Sequence, residues 1–144
     1  MNKEKTLKKA NDLCKNTLME TLGIRFVDIG TDFVSAEMMV NTSVHQPEGI
    51  LHGGATLALA ETVASAASVL LNPSEKPHSI RGIEISANHL KPVTSGVITA
   101  TAKALHYGKT TQLWIIRVVD QKNRLVAICK QTTMKLNSTT LNNK

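Results

Sequence analysis

The spacing of apolar residues changes several times along this chain, and each change marks an element. Residues 3–22 carry a moderately amphipathic helical pattern that Gly23 ends. Ile24–Ile29 and Phe33–Val40 then read as strands around Gly30-Thr31-Asp32, a hairpin signal. In the second, Ala36, Met38 and Val40 alternate with Ser35 and Glu37, the pattern of a strand with one wet face. A loop, Asn41–Leu51, leads to His52-Gly53-Gly54. From Ala55 to Leu71 there is no proline or glycine and much alanine, and Asn72-Pro73 stops the run, so it predicts one long helix. Apolar residues fall on every face of that helix, which predicts burial all round. After a polar loop, Asn72–His78, four further strands are expected at Ser79–Leu90, Gly96–Leu105, Thr110–Val119 and Arg124–Leu136. Asp120-Gln121-Lys122-Asn123 marks the turn between the last two. One long helix with about six strands, mostly joined by short turns, predicts an α+β domain in which an antiparallel sheet wraps the helix. Residues 1–136 form that single domain, and 137–144 are expected to be a disordered polar tail.

Composition narrows the function classes. With aromatics at only 3%, aliphatic side chains must fill the core. The net charge of +6 is scattered apart from Lys3, Lys5, Lys8, Lys9 and Lys15, a spacing that suits a solvated helix face. Few aromatics are available for base stacking, which argues against nucleic acid. A modestly basic surface suits an anionic, phosphate-bearing ligand instead. Cys14 and Cys129 have no motif spacing and read as reduced thiols. The N-terminus has no apolar signal core, and the long helix carries a charge among small residues, so no membrane span and a cytoplasmic location are expected. His45, His52, His78, His89 and His106 show no metal-ligand spacing, so no metal is expected.

The charge on the long helix is Glu61, the one charged residue between Ile50 and Asn72. A carboxylate among apolar neighbours loses hydration, so it marks a site of chemistry or a buried network, with Ser65 one turn on as a partner. Gly53 and Gly54 open the same helix. Paired glycines serve a sharp turn or close packing, and they also leave N–H groups free at the positive end of the helix dipole, where a carbonyl oxygen can be held as it becomes an oxyanion. Eight residues separate Gly53 from Glu61, about 12 Å along a helix. One carbonyl needs both groups at about 3 Å, so one helix cannot present both to it. If both act, the chain must be a homodimer with shared sites.

These residues stand in a longer pattern. His45-Gln46-Pro47, Leu51-His52-Gly53-Gly54-Ala55, Ala60-Glu61-Thr62, Asn88-His89-Leu90-Lys91-Pro92-Val93 and His106-Tyr107-Gly108-Lys109 occur in that order. Over roughly Leu22 to Leu136 the chain resembles the hotdog-fold acyl-CoA thioesterases. The branch is that of the phenylacetate-pathway, glutamate-type 4-hydroxybenzoyl-CoA and 1,4-dihydroxy-2-naphthoyl-CoA thioesterases. The resemblance implies dimers with interface sites, commonly paired into homotetramers, and no cofactor, coenzyme A being part of the substrate. It matches Glu61 to the catalytic carboxylate, Gly53 to the oxyanion amide, Gln46 and His52 to polar residues beside the thioester, and Ser65 to the hydroxyl beyond the carboxylate. Gly82 matches a position lining the substrate region. His89, Lys91, His106, Gly108, Lys109 and Thr110 match positions that hold coenzyme A. Many relatives carry arginine where this chain has Lys91 and Lys109, and lysine lacks the bidentate fork.

The expected reaction is hydrolysis of an aromatic or medium-chain acyl-CoA, with Val63, Ala64, Ser68 and Ile83 as pocket walls and Glu61 as nucleophile or general base. Two alternatives are a hydratase or dehydratase of acyl thioesters, which would need a histidine–acid pair, and a non-catalytic acyl-CoA-sensing domain.

Overall fold

Alternation along the strands resolves into one antiparallel sheet. The computed structural model describes residues 2–72 and 78–137. Its strands are β1 (Arg25–Ile29), β2 (Phe33–Val40), β3 (His78–His89), β4 (Gly96–Tyr107), β5 (Thr111–Asp120) and β6 (Leu125–Asn137), in the spatial order β1-β2-β4-β5-β6-β3. The β2 residues Val34, Ala36 and Met38 pair with Ala102, Ala100 and Ile98 of β4, and the row continues into Ile116 and Val118 of β5. All eight are fully buried, so the period-two pattern becomes a continuous apolar face. Helix α3 (Gly53–Leu70) lies on that face and buries Thr56, Leu59, Ala60, Val63, Ala64, Ala67 and Ser68 against it. Trp114, the one tryptophan, is fully buried on β5, and its indole N–H donates to Thr133 Oγ1 at 3.2 Å. The expected α+β architecture is therefore observed. Strand limits differ from expectation by a residue or two. Most of the polar loop and the tail from 138 on lie outside the described residues.

Two expectations are corrected. The N-terminal segment is two helices, α1 (Lys3–Leu13) and α2 (Leu18–Leu22), rather than one. The break is chemical: Asn16 adopts a left-handed φ of 58°, and Thr17 caps α2 by accepting the Met19 N–H. Gly23 ends α2 with φ 68°, as its place after the pattern predicts. Helix α3, in turn, is not buried all round. The sheet covers one side of it, leaving Glu61 and Val69 exposed and Ser65, Thr62 and Ala66 half-buried. Alanine reads as apolar by composition yet suits either environment, so periodicity could not find the open face.

The two edges of the sheet are finished differently. Along β1, Asn11 of α1 donates from Nδ2 to the Phe26 carbonyl at 3.0 Å and accepts the Phe26 N–H at 2.8 Å, as a neighbouring strand would. Lys3 pairs with Asp28 at 2.5 Å and ties the start of α1 to the same strand. Along β3, no strand pairs with the outer side among the described residues, and a bulge falls between Gly82 and Glu84.

Candidate active site in two halves

At the start of α3, the helix satisfies most of its own amides. The His52 ring accepts the Gly54 N–H through Nδ1 at 2.8 Å, and the His52 carbonyl accepts from Ala55 at 3.0 Å and Thr56 at 3.2 Å. Among the first four amides of α3, Gly53 alone has no partner among the described residues. The expected pair of free amides is thus reduced to one. Because Nδ1 accepts, the neutral His52 ring carries its hydrogen on Nε2 and is a donor there.

Around this amide the loop holds further donors. Gln46 Oε1 accepts the Glu48 N–H, which leaves the Gln46 amide nitrogen as the free end. The loop is fastened by His45 Nε2 to the Thr94 carbonyl at 2.9 Å and by the Leu51 N–H to the Val93 carbonyl at 2.8 Å. His45 is therefore a fastener of the loop. His89 lies against Gly53 so closely that a Cβ there would stand 2.9 Å from His89 Nε2, which is why the position takes glycine. Gln46, Gly53, Thr56, His89 and Lys91 together line a cavity of about 380 Å³.

Glu61 belongs to a second cluster. Its Oε1 packs on Gly82 of β3, where a Cβ would lie 2.9 Å away. Ser65 Oγ, one turn on, accepts from Gln131 Nε2 at 3.3 Å. Beside Glu61 and Ser65 runs an apolar groove of about 930 Å³, with Thr62, Ala66 and Val69 of α3 on one wall and Leu13, Leu18 and Met19 on the other. Of the expected pocket walls, Val63, Ala64 and Ser68 are corrected, being fully buried between helix and sheet, whereas Ile83 is exposed at the bulge on the β3 edge. Cys14 also lines the groove, but burial pushes its thiol up, and burial pushes Cys129 up to about 11, so neither supplies a thiolate near neutral pH.

The halves do not meet in one chain. Gly82 touches Glu61 and His89 touches Gly53, and seven residues of β3 separate them, roughly 20 Å. His106, Gly108, Lys109 and Thr110 form a third cluster at the β4–β5 turn. The Gly108 N–H donates to the Thr111 carbonyl at 2.8 Å, and the Thr110 carbonyl accepts from Lys135 at 2.8 Å. That turn adjoins the cross-strand row Gly82–Thr133–Gln112–Tyr107, so it is at Glu61's end of the sheet, roughly 15 Å across three strand spacings.

Sequence reasoning passed over Gln131. It sits on β6 in the inward phase of Ala127 and Cys129 and is fully buried. A polar residue in phase with Leu125, Ala127 and Cys129 was the available signal.

Residues 48–127 match the thioesterase superfamily. The chain is 39% identical over 134 residues to the proofreading thioesterase EntH of Klebsiella pneumoniae, covering 93% of this chain and 96% of that protein. It is 41% identical over 116 residues to the 1,4-dihydroxy-2-naphthoyl-CoA hydrolase of Listeria monocytogenes, covering 80% and 92%. Its fold is similar to the crystal structure of a thioesterase from Haemophilus influenzae, with a TM-score of 0.87 and 38% identity over 91% of this chain and 90% of that one.

Proposed function

This chain belongs to the thioesterase superfamily and is a thioester hydrolase of the hotdog fold; from that premise we propose that Glu61 of one protomer and the Gly53 amide of another act together on an acyl-CoA. The observation that carries this reading is the single unpartnered amide at the start of α3, set apart from the carboxylate it must serve. An antiparallel β3–β3 pairing about a two-fold axis at Ser86 brings the halves together. Ile85 then faces the partner's Ala87, inward residue to inward residue. Across the bulge, Gly82 faces the partner's His89, so Glu61 approaches the partner's Gly53. Pairing of two such dimers into a homotetramer, in the cytoplasm, belongs to the same reading.

In that site the thioester carbonyl oxygen sits on the Gly53 N–H, with His52 Nε2–H and the Gln46 amide as neighbouring donors. Glu61 attacks the carbonyl carbon, expels the coenzyme A thiolate and leaves a mixed anhydride that water hydrolyses, or it takes a proton from the attacking water. Thiolates leave readily, so neither route calls for a metal. The acyl group lies in the groove beside Glu61, whose apolar walls suit an aromatic or medium-chain group. Lys91, Lys109 and the His106–Thr110 turn offer cations and backbone groups to the phosphates of coenzyme A.

The test is thiol release from benzoyl-, phenylacetyl-, hydroxynaphthoyl- and straight-chain acyl-CoA, comparing wild type with Glu61→Ala. We expect release to fall roughly a thousandfold or more in the variant. Release that survives the substitution sinks the assignment of Glu61. After a single turnover in isotope-labelled water, label in Glu61 excludes simple base catalysis, because it enters Glu61 only through the anhydride.

A further inference from the structure

We propose that Gln131 is a positioning residue for Ser65 and Glu61, an inference that rests on the reading of Glu61 given above. Gln131 is fully buried on the sheet's inner face, one strand in from the β3 edge, and its Oε1 has no hydrogen-bond partner among the described residues. A buried acceptor left unpaired costs about 1–3 kcal/mol, so an apolar side chain would serve packing better. What the amide does is local. Its nitrogen can only donate, so Ser65 Oγ is the acceptor of the 3.3 Å bond and must turn its own hydrogen elsewhere. Helical side chains lean toward the N-terminus, which sets the Ser65 hydroxyl over the turn that carries Glu61.

Gly82 completes the arrangement. A Cβ there would lie 2.5 Å from Gln131 Nε2 and 2.9 Å from Glu61 Oε1. The missing side chain leaves the space on β3 that the amide and the carboxylate both border. Thr133, two residues on in β6, is bonded to Ser68 at 2.9 Å and receives the Trp114 indole N–H, so Gln131 projects from a firmly held strand. Gln131 thus fixes the Ser65 hydroxyl, and through it the carboxylate one turn back, where they face the thioester.

The test is Gln131→Met in the full-length enzyme, which keeps chain length and removes the donor. We expect kcat to fall about ten- to a hundredfold, KM to stay unchanged, and the melting temperature to hold or rise as the unpaired acceptor disappears. A purely structural glutamine would instead lower the melting temperature and leave kcat of the folded enzyme intact. Combined with Ser65→Ala, Gln131→Met should add no further loss, because it acts through the hydroxyl; additive losses overturn the proposal. Should Gln131→Met misfold, Gly82→Ala parts the same groups from β3 and should lower kcat at unchanged KM; an unchanged kcat there overturns the proposal. Full activity in Gln131→Met, with Glu61→Ala inactive, overturns this proposal alone, whereas an active Glu61→Ala enzyme overturns the reading beneath it.

Discussion

The two outer strands of the sheet meet solvent on opposite terms. At β1 the free backbone groups of Phe26 are taken by one asparagine side chain, and α1 is moored alongside. At β3, a strand of 12 residues, no strand pairs with the outer edge among the described residues, and Glu84, Ser86 and Asn88 are exposed on it. An unpaired edge invites another strand, and proteins that remain discrete close the edges they do not use. The contrast teaches that one edge is closed to a further strand while the other is available to one. The open strand is also the one whose Gly82 touches Glu61 and whose His89 touches Gly53. In the dimer we propose, assembly and chemistry share this strand, and a carboxylate and an amide too far apart in one chain serve one carbonyl.

The sharpest way to break this comparison is complementation. Glu61→Ala and Gly53→Val should each be inactive, the second because the added side chain collides with His89. Mixed and allowed to exchange protomers, they should recover about a quarter of wild-type activity, since half the dimers then carry one intact site of two. No recovery despite exchange would place both groups of each site in a single chain and refute the shared site. A smaller effect is expected from Ser86→Glu, which sets like charges against each other at the two-fold with Glu84 close by. Light scattering should show monomers at micromolar concentration, with circular dichroism unchanged and activity lost along with the dimer. The closed edge should respond in the opposite sense. Asn11→Ala removes two hydrogen bonds, costs about 2 kcal/mol, and should lower the melting temperature by roughly 5–10 °C. Dimer mass should remain intact at low concentration, with aggregation rising as β1 is uncovered.

Legibility differed by element. The strands were readable because a side chain changes face at every residue, so Ala36, Met38 and Val40 announced their burial by alternation alone. Helix α3 was readable as a helix, yet its environment was not. Its alanines score as apolar whether a sheet covers them or not, and so Glu61 was expected to be buried in a chain that leaves it exposed. The break at Asn16-Thr17 was missed because two short helices with a shared apolar side resemble one longer helix, although an asparagine beside a capping threonine is a legible stop. In the site, Glu61 and Gly53 were found as exceptions to their surroundings. Gln131 was overlooked because a glutamine in a strand usually points to water, and only the pairing register turns this one inward.

By itself the sequence determined the class of fold and the family, and it singled out Glu61 and Gly53 as candidates too far apart on one helix to serve one carbonyl, because these follow from periodicity, motif order and the rise of a helix. Only the tertiary structure decided which of the two glycine amides is free, which strand edge is open, and which side chains stand beside Glu61. Those depend on where His52 turns its ring, where Asn11 lands and how β6 registers against β3, contacts between residues far apart in the chain that no local pattern encodes.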